Sequence, residues 1–416
     1  MKGVILAAPA SGNGKTTIAA GLVHALRRQG CAVQPYKAGP DYIDAGFLAA
    51  AAGRPCRNLD PWAMRPETFA GALDADADLA VVEGVMGLFD GAEGGGGSTA
   101  DLAALTGWPV VLAVDCAGQG QSVAALLEGF ARHRGDIDIA GAVLNRVAGD
   151  RHEALLRERA GAVPILAVLP REPALALPSR HLGLVQAGEH PGLEGWLERA
   201  ADLVPAAAFP FGPLRMAEAR AANGTPLPPP GQRIAVARDE AFAFAYEHVL
   251  AGWRRAGAEI SSFSPLADEA PEGDAVFLPG GYPELHAGRI AAAGNFLGAL
   301  RRHEGPVYGE CGGYMVLGEG MVDAEGRRHA MAGLLPLETS FAEPARHLGY
   351  RRLTAATGFP LGATFRGHEF HYARVLREGP GEALFEAADT LGRPLGPAGL
   401  VRGRVAGSFM HLIDAA

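Results

Sequence analysis

Near the amino end, Pro9-Ala10-Ser11-Gly12-Asn13-Gly14-Lys15-Thr16-Thr17 follows an apolar run and opens a helical pattern, which is where a phosphate-binding loop belongs. Backbone N–H groups at a helix N-terminus point outward, and with the helix dipole they suit the charge of a phosphate. Ser11, Gly12, Asn13, Gly14, Lys15, Thr16 and Thr17 would cradle the phosphates, with Lys15 on the terminal ones and Thr16 able to ligate magnesium. Pro9 stands where the strict pattern has its first glycine, so the loop is a variant; the plainer reading is a glycine-rich turn. Glu83 ends the apolar run Leu79-Ala-Val-Val, the usual place of a magnesium-ligating carboxylate in a nucleotide-binding α/β sheet, although it could equally be a surface charge. Between them, Lys37-Ala-Gly-Pro-Asp41-Tyr-Ile-Asp44 sets Asp41 and Asp44 at the same sheet edge, where Asp41 is either a catalytic and metal-binding group or a helix cap. Asp90 and Asp115 extend that acidic edge, and Asn145 offers an adenine contact or simple turn chemistry.

A second constellation lies toward the carboxyl end. Gly309-Glu310-Cys311-Gly312-Gly313 follows a strand-like run and precedes an apolar helical one, the thiol counterpart of a nucleophile elbow. A thiol attacks as thiolate, so a base is required, and His411 in Gly407-Ser-Phe-Met-His411 supplies one. In Leu278-Pro-Gly280-Gly281-Tyr-Pro-Glu284 a strand enters a glycine-rich turn, where the Gly281 N–H and the Gly312 N–H could face a developing oxyanion. Cys31, Cys56 and Cys116 read as small buried hydrophobes.

These groups need a scaffold. The apolar runs Val4–Ala7, Ala32–Tyr36, Leu79–Val82, Val110–Val114, Ile139–Leu144 and Ile165–Leu169 alternate with helical patterns, which predicts a parallel α/β sheet. The pattern stops near Val204, and Pro205 to Gln232, with Pro226, Pro228, Pro229 and Pro230, reads as a linker. Alternation resumes with Ile234–Ala237, a helical pattern over Ala241–Arg255, Val276–Leu278 and Val307–Tyr308, giving a second α/β unit. The expected domains are therefore 1–204 and 233–416, joined by 205–232. A length of 416 residues suits two domains, and 48% apolar with 20% charged residues suits packed cores. A net charge of −9 without long Lys/Arg runs argues against nucleic acid, and no segment holds the ~20 apolar residues of a membrane span. Four dispersed cysteines without a CxxC pair fit a reducing cytoplasm.

With these residues in place, the chain resembles the cobyrinic acid a,c-diamide synthase family, which includes the hydrogenobyrinic acid a,c-diamide synthases of the aerobic cobalamin pathway. The variant phosphate loop, Lys37–Asp44, Glu83-Gly-Val-Met-Gly-Leu-Phe-Asp90-Gly, Pro178-Ser-Arg-His-Leu-Gly-Leu184, Leu278–Glu284, Gly309–Met315 and Gly367-His-Glu-Phe-His-Tyr372 carry the resemblance in that order over nearly the whole chain. It implies an N-terminal domain similar to dethiobiotin synthetase and a C-terminal class I glutamine amidotransferase domain of flavodoxin-like type. It also implies a reaction: ATP with Mg2+ phosphorylates the a- and c-acetate carboxylates of a corrinoid, and ammonia released from L-glutamine at Cys311 displaces the phosphate along an enclosed interdomain path. In the usual class I site a glutamate two residues beyond the histidine orients it; Ile413 occupies that position, leaving Glu369 or a carbonyl as candidates. Arg180, His181, His368 and His371 come from family motifs; a polycarboxylate substrate could use Arg180, which could equally be structural. Cobyric acid synthase and nickel-sirohydrochlorin a,c-diamide synthase would keep both sites and change the substrate pocket. A P-loop regulatory ATPase with a degenerate second domain is the reading from another class, and a homodimer is compatible with any of these.

Overall fold

The computed structural model describes residues 1–158, 161–180, 183–215, 226–356 and 358–416, and the side chains of residues 179, 180, 183 and 184 fall outside that description. The chain forms two compact units, Met1–Trp62 with Phe69–Ala222 and Ala63–Thr68 with Asn223–Ala416.

In the first unit, strands β1 (Lys2–Ala7), β2 (Val33–Ala38), β3 (Arg57–Leu59), β4 (Leu79–Glu83), β5 (Val110–Asp115), β6 (Ile139–Val147) and β7 (Ile165–Pro170) align in the order β3-β2-β4-β1-β5-β6-β7. All of these pairings are parallel. Strands buried on both faces read as continuous apolar runs, which is why six of the seven are visible in the sequence. The exception, β3, is a three-residue edge strand of sequence Arg-Asn-Leu and carries no such run. Helices α1 (Lys15–Arg28), α2 (Ile43–Ala52), α3 (Pro66–Leu73, whose first three residues group with the second unit), α4 (Thr99–Thr106), α5 (Val123–His133), α6 (Asp150–Arg157) and α7 (Leu193–Leu203) fill the connections. Ile18, Leu22 and Val23 of α1, Phe47 and Leu48 of α2 and Trp196 and Leu197 of α7 share one core with Val4, Leu6, Val81 and Val111.

Two short strands, β8 (Ser179–Arg180) and β9 (Gly183–Leu184), pair antiparallel, while His181 lies outside the described residues. The first residues of the segment expected as a linker carry structure of their own. Ala206 and Phe209 are buried, and β10 (Gly212–Pro213) pairs antiparallel with Lys2 and Gly3, on residues of β1 that β5 does not reach. At its other end Leu227 is buried within the second unit, so the proline-rich segment is anchored on both sides.

The second unit is built on β11 (Arg233–Ala237), β12 (Glu259–Phe263), β13 (Ala275–Leu278) and β14 (Val307–Glu310), with helices α8 (Glu247–Arg255), α9 (Ala287–Ala292), α10 (Gly294–Arg302) and α11 (Gly312–Leu317). The helix expected from Ala241 starts only at Glu247, because the Phe244 N–H is bonded to the Gly280 carbonyl at 2.9 Å and the backbone there bridges to the glycine turn. Strands β15 (Gly320–Val322), β16 (Arg328–Ala330) and β17 (Leu337–Ser340) form a satellite sheet with β20 (Arg374–Glu378). Beyond the flavodoxin-like core come β18 (His347–Ala355), β19 (Thr364–His371), β21 (Glu382–Ala388), β22 (Pro394–Arg402), β23 (Val405–Ser408) and β24 (Met410–Ala415). The ten-stranded order is β12-β11-β13-β14-β23-β22-β21-β18-β19-β24, parallel through β23 and antiparallel after it. Only Phe409 separates β23 from β24, so one ribbon pairs with β14 and then turns to pair with β19. That turn delivers His411. Among the described residues, no helix is long and apolar enough to cross a membrane.

Candidate functional site

The loop between β1 and α1 runs through Gly12 and Gly14 at φ 82° and 88°, left-handed values that favour glycine. A Cβ on Gly14 would also lie 2.3 Å from the Asn145 amide nitrogen. That amide donates to the Asn13 carbonyl at 3.0 Å, and the Asn13 side chain in turn accepts the Asp115 N–H at 2.8 Å. Asn145 and Asp115 thus brace the loop from the ends of β6 and β5. Arg146, held at φ 56°, adds a bond from its guanidinium to the Gly12 carbonyl and an ion pair to Asp115. Asn145 also borders a cavity of about 560 Å3 with Gly14, Thr17, Arg146, Leu169 and Leu175. Ser11 is exposed at the mouth of the loop.

Beneath the loop the charges converge. Lys15 donates to the Met86 carbonyl at 2.7 Å, and burial followed by the nearby Lys37 pulls its pKa down. The Thr16 hydroxyl donates to Glu83 Oε1 at 2.7 Å. Lys37, fully buried, lies 2.7 Å from Asp44 Oδ2 and 3.1 Å from Glu83 Oε1. Burial alone would strip its proton, but Asp44 and Glu83 together hold it charged, with a pKa above the ordinary lysine value. Asp44 is depressed in turn: burial opposes its charge, and Lys37 overcomes that. Glu83 moves the other way, to about 8, through burial and the charge of Asp44. Asp41 is raised to about 6 by the same two causes, while its Oδ1 accepts the Asp44 N–H at 2.9 Å in the manner of a helix cap. Asp90 is tied to the Gly87 N–H at 2.8 Å and closes its own turn. Glu83 Oε2 is buried without a hydrogen-bond partner. An orphaned carboxylate oxygen next to the Thr16 hydroxyl is the donor chemistry that a hard divalent cation needs, so the residues fit Mg2+.

In the second unit, Cys311 follows β14 at φ 46°, a left-handed backbone strained for a non-glycine residue, and α11 begins immediately behind it. The conformation turns the side chain out of the sheet edge, as an elbow does. Its amide is fixed on the Ser408 carbonyl at 2.8 Å, and the thiol faces the Phe370 carbonyl at 3.7 Å. Burial, then Glu284, with Glu310 and Glu369 adding, pushes the thiol pKa well up, so thiolate formation requires a base. His411 is that neighbour. A Cβ built on Gly280 would lie 2.4 Å from His411 Cε1, 3.3 Å from Nε2 and 3.4 Å from Cys311 Cβ, so the imidazole and the Cys311 β-carbon both border a spot where only a glycine fits. A Cβ on Gly312 would lie 3.1 Å from the Gly281 nitrogen, so the two glycines expected to supply the oxyanion donors are close neighbours.

Glu369 does not face His411. Its carboxylate is held by Arg351 at 2.5 Å and by His371 Nε2 at 3.2 Å, because its position on β19 pairs with Met410 rather than with the histidine. The carboxylate beside His411 Nδ1 is Glu310, at 3.7 Å. Ile413 is buried, and its carbonyl accepts His248 Nε2 at 2.8 Å. His368 pairs with His411 across the strands, and His371 stacks on Phe409 at 3.9 Å between ring centres. Arg180 contributes only its backbone to the description.

Sequence reasoning gave no role to Lys37 or Glu310. Each had a signal: a lysine inside a strand buried at all six positions, and an acid directly before the nucleophile.

Fold and sites together define a P-loop nucleotide-binding unit joined in one chain to a glutamine amidotransferase unit. Residues 4–185 match the family described as CobQ/CobB/MinD/ParA nucleotide binding domain, and residues 233–416 match the CobB/CobQ-like glutamine amidotransferase domain. The whole chain is similar to the hydrogenobyrinate a,c-diamide synthase of Sinorhizobium sp., 54% identical over 437 residues that cover 100% of this chain and 99% of the relative. The enzymes of that name from Rhizobium meliloti (strain 1021) and Brucella anthropi are 56% and 55% identical with the same coverage. The chain belongs to the hydrogenobyrinate a,c-diamide synthase family.

Proposed function

We infer that this chain is a ligase that amidates the a- and c-acetate carboxylates of hydrogenobyrinic acid, using ATP and glutamine in cobalamin biosynthesis. The observation that carries this reading is the full-length match to relatives of one name, 54% identical with 100% of the chain covered, over both a phosphate loop and a Cys–His elbow.

At the first site a substrate carboxylate oxygen attacks the γ-phosphorus of ATP, ADP leaves, and an acyl phosphate forms. A carboxylate oxygen is a poor leaving group and phosphate a good one, so this step makes the later substitution possible. Lys15 spreads charge on the transferring phosphoryl group, and the Ser11–Thr17 amides bind the phosphates. Mg2+, held by Thr16 and Glu83 with Asp41 nearby, would supply further neutralisation of phosphate charge. Lys37 keeps Asp44 ionised and the floor of the site rigid. Asp90 and the cavity beside Asn145 are where we place substrate and nucleoside contacts.

At the second site His411 takes the Cys311 proton and the thiolate attacks the glutamine amide carbon. The Gly281 and Gly312 amides face the oxyanion. As the C–N bond breaks, the imidazolium gives its proton to the leaving nitrogen and ammonia departs, leaving a glutamyl thioester. Water, deprotonated by His411, releases glutamate and restores the thiol. Ammonia then attacks the acyl phosphate, forming the amide and expelling phosphate. ATP and glutamine are cytoplasmic metabolites, and the four cysteines are free, which supports a cytoplasmic site of action.

The test is incubation with ATP, magnesium and glutamine and with hydrogenobyrinate, cobyrinate or nickel-sirohydrochlorin, followed by mass spectrometry. Two amides on hydrogenobyrinate, with two ATP consumed, are expected. Amidation of side chains other than the a- and c-acetates would overturn the assignment.

A further inference from the structure

Glu310 ends β14 and immediately precedes Cys311. Its Oε1 accepts the Leu412 N–H at 3.1 Å, which pins the carboxylate to the strand that bears His411, and its Oε2 lies 3.7 Å from His411 Nδ1. Both residues are buried, at 4% and 1% exposure, so their interaction is little screened by water. Cε1 and Nε2 of the imidazole are turned toward Gly280, which the Cys311 β-carbon also borders. A neutral imidazole carries one proton, so Nε2 can accept from the thiol only if Nδ1 holds the ring proton. A carboxylate on the Nδ1 side selects that tautomer and stabilises the imidazolium formed in the reaction. The position two residues beyond the histidine cannot do so, because it is the buried, apolar Ile413. Glu369 is committed to Arg351 and His371.

We propose that Glu310 is the positioning carboxylate of the glutaminase site, holding His411 in the Nδ1–H tautomer and balancing its charge once Cys311 has given up a proton. The role rests on the reading that Cys311 hydrolyses glutamine. It relocates the third member of the triad from beyond the base to the residue before the nucleophile, so nucleophile and orienting acid share one rigid strand end. Among the described residues, the other ionisable groups around this pair are Glu284 and Glu369, which face the thiol, Tyr308, whose buried phenol lies beside Glu310, and His368, which faces His411 and is itself near Arg351.

The test is Glu310→Gln, whose side-chain carbonyl can keep the Leu412 bond while the charge is lost. Glutamine-dependent kcat should fall by roughly 100-fold or more, with KM for glutamine changed by less than about 3-fold because no substrate contact is removed. Ammonia-supported synthesis bypasses this site and should persist. A readout that a merely structural role would not move is the His411 tautomer: 15N spectra should show the Nδ1–H form depopulated in Glu310→Gln and less so in Glu310→Asp. In the unmodified protein, 15N shifts of the His411 ring should report a proton on Nδ1. Retained glutaminase activity with an unchanged His411 tautomer in Glu310→Gln overturns the proposal. So does an Nε2–H tautomer, or a parallel loss of ammonia-supported synthesis, which would make Glu310 a structural residue. A wild-type protein that uses ammonia but never hydrolyses glutamine sinks the reading of Cys311 itself and the role of Glu310 with it.

Discussion

Lys37 Nζ sits 2.7 Å from Asp44 Oδ2 at the floor of the phosphate site, and the same ammonium reaches Glu83 at 3.1 Å. One buried cation thus serves two buried carboxylates. Replacing it by an apolar isostere, Lys37→Met, would leave both acids without their counter-charge. Breaking a buried ion pair from one side costs about 3 to 5 kcal/mol. The first unit of the variant should melt several degrees lower, and amidation should be lost with either nitrogen source. An unchanged melting profile would mean that the lysine is dispensable to the floor.

The choice of nitrogen source separates the two chemistries. Thr16→Val removes the hydroxyl that meets Glu83 at 2.7 Å and should depress glutamine- and ammonia-supported synthesis in equal proportion, since both consume the acyl phosphate. Gly280→Ala places a methyl 2.4 Å from His411 Cε1. The base must shift, and a displacement on the order of 1 Å at a catalytic group costs roughly 100-fold. That loss should fall on the glutamine-supported rate alone. Equal losses in Gly280→Ala would place Gly280 outside the glutaminase site.

His368 gives the second unit a pH-dependent stability. Burial first, then the charges of His411 and Arg351, lower its pKa from 6.5 to about 3. Between those values the unfolded chain binds a proton that the folded one refuses, so stability falls as pH drops below 6.5 and stops falling on this account near 3. At pH 5 the penalty is about 2 kcal/mol, from 1.36 kcal/mol per pH unit. Urea unfolding of the wild type and of His368→Gln from pH 7 to 5 should show the slope shrinking by close to one proton in the variant. Equal slopes would mean that His368 is protonated in the folded state.

The sequence made the parallel strands legible because burial on both faces leaves no polar alternation to confuse them; Val110–Val114 needed no other information. It also exposed Lys15 and Cys311, whose chemistry is tied to local glycine patterns. What it could not convey was side-chain direction across distant segments. Glu369 and Glu310 are both acids in plausible motifs, and only the pairing of β19 with β24 decides which faces the histidine. Asn145 and Arg146 look like turn residues until β6 is set beside the phosphate loop. The stretch from Pro205 resembles a free linker by composition, but Phe209 finds a core and Gly212 a strand edge.

The same limit hid Arg65, which lies in the short excursion Ala63–Thr68 that belongs to the second unit although its neighbours in sequence belong to the first. Its backbone N–H donates to Asp414 Oδ2 at 2.7 Å and its Nη2 to Asp414 Oδ1 at 2.8 Å. Asp414 is wholly buried and stands three residues after His411 on β24, which among the described residues is an edge strand paired with β19 alone. Arg65 is partly exposed, so the pair is weaker than a fully buried one, yet its removal leaves a buried carboxylate with backbone N–H donors and no counter-charge. Arg65→Ala should therefore destabilise the second unit by about 2 kcal/mol. The effect should be local first: hydrogen exchange at Leu412 and Ala415, whose amides are bonded to Glu310 and to Pro226, should quicken before the β13 and β14 amides do. If exchange along β24 is unaltered in Arg65→Ala, the strand is held by its pairing with β19 and the arginine adds nothing to it.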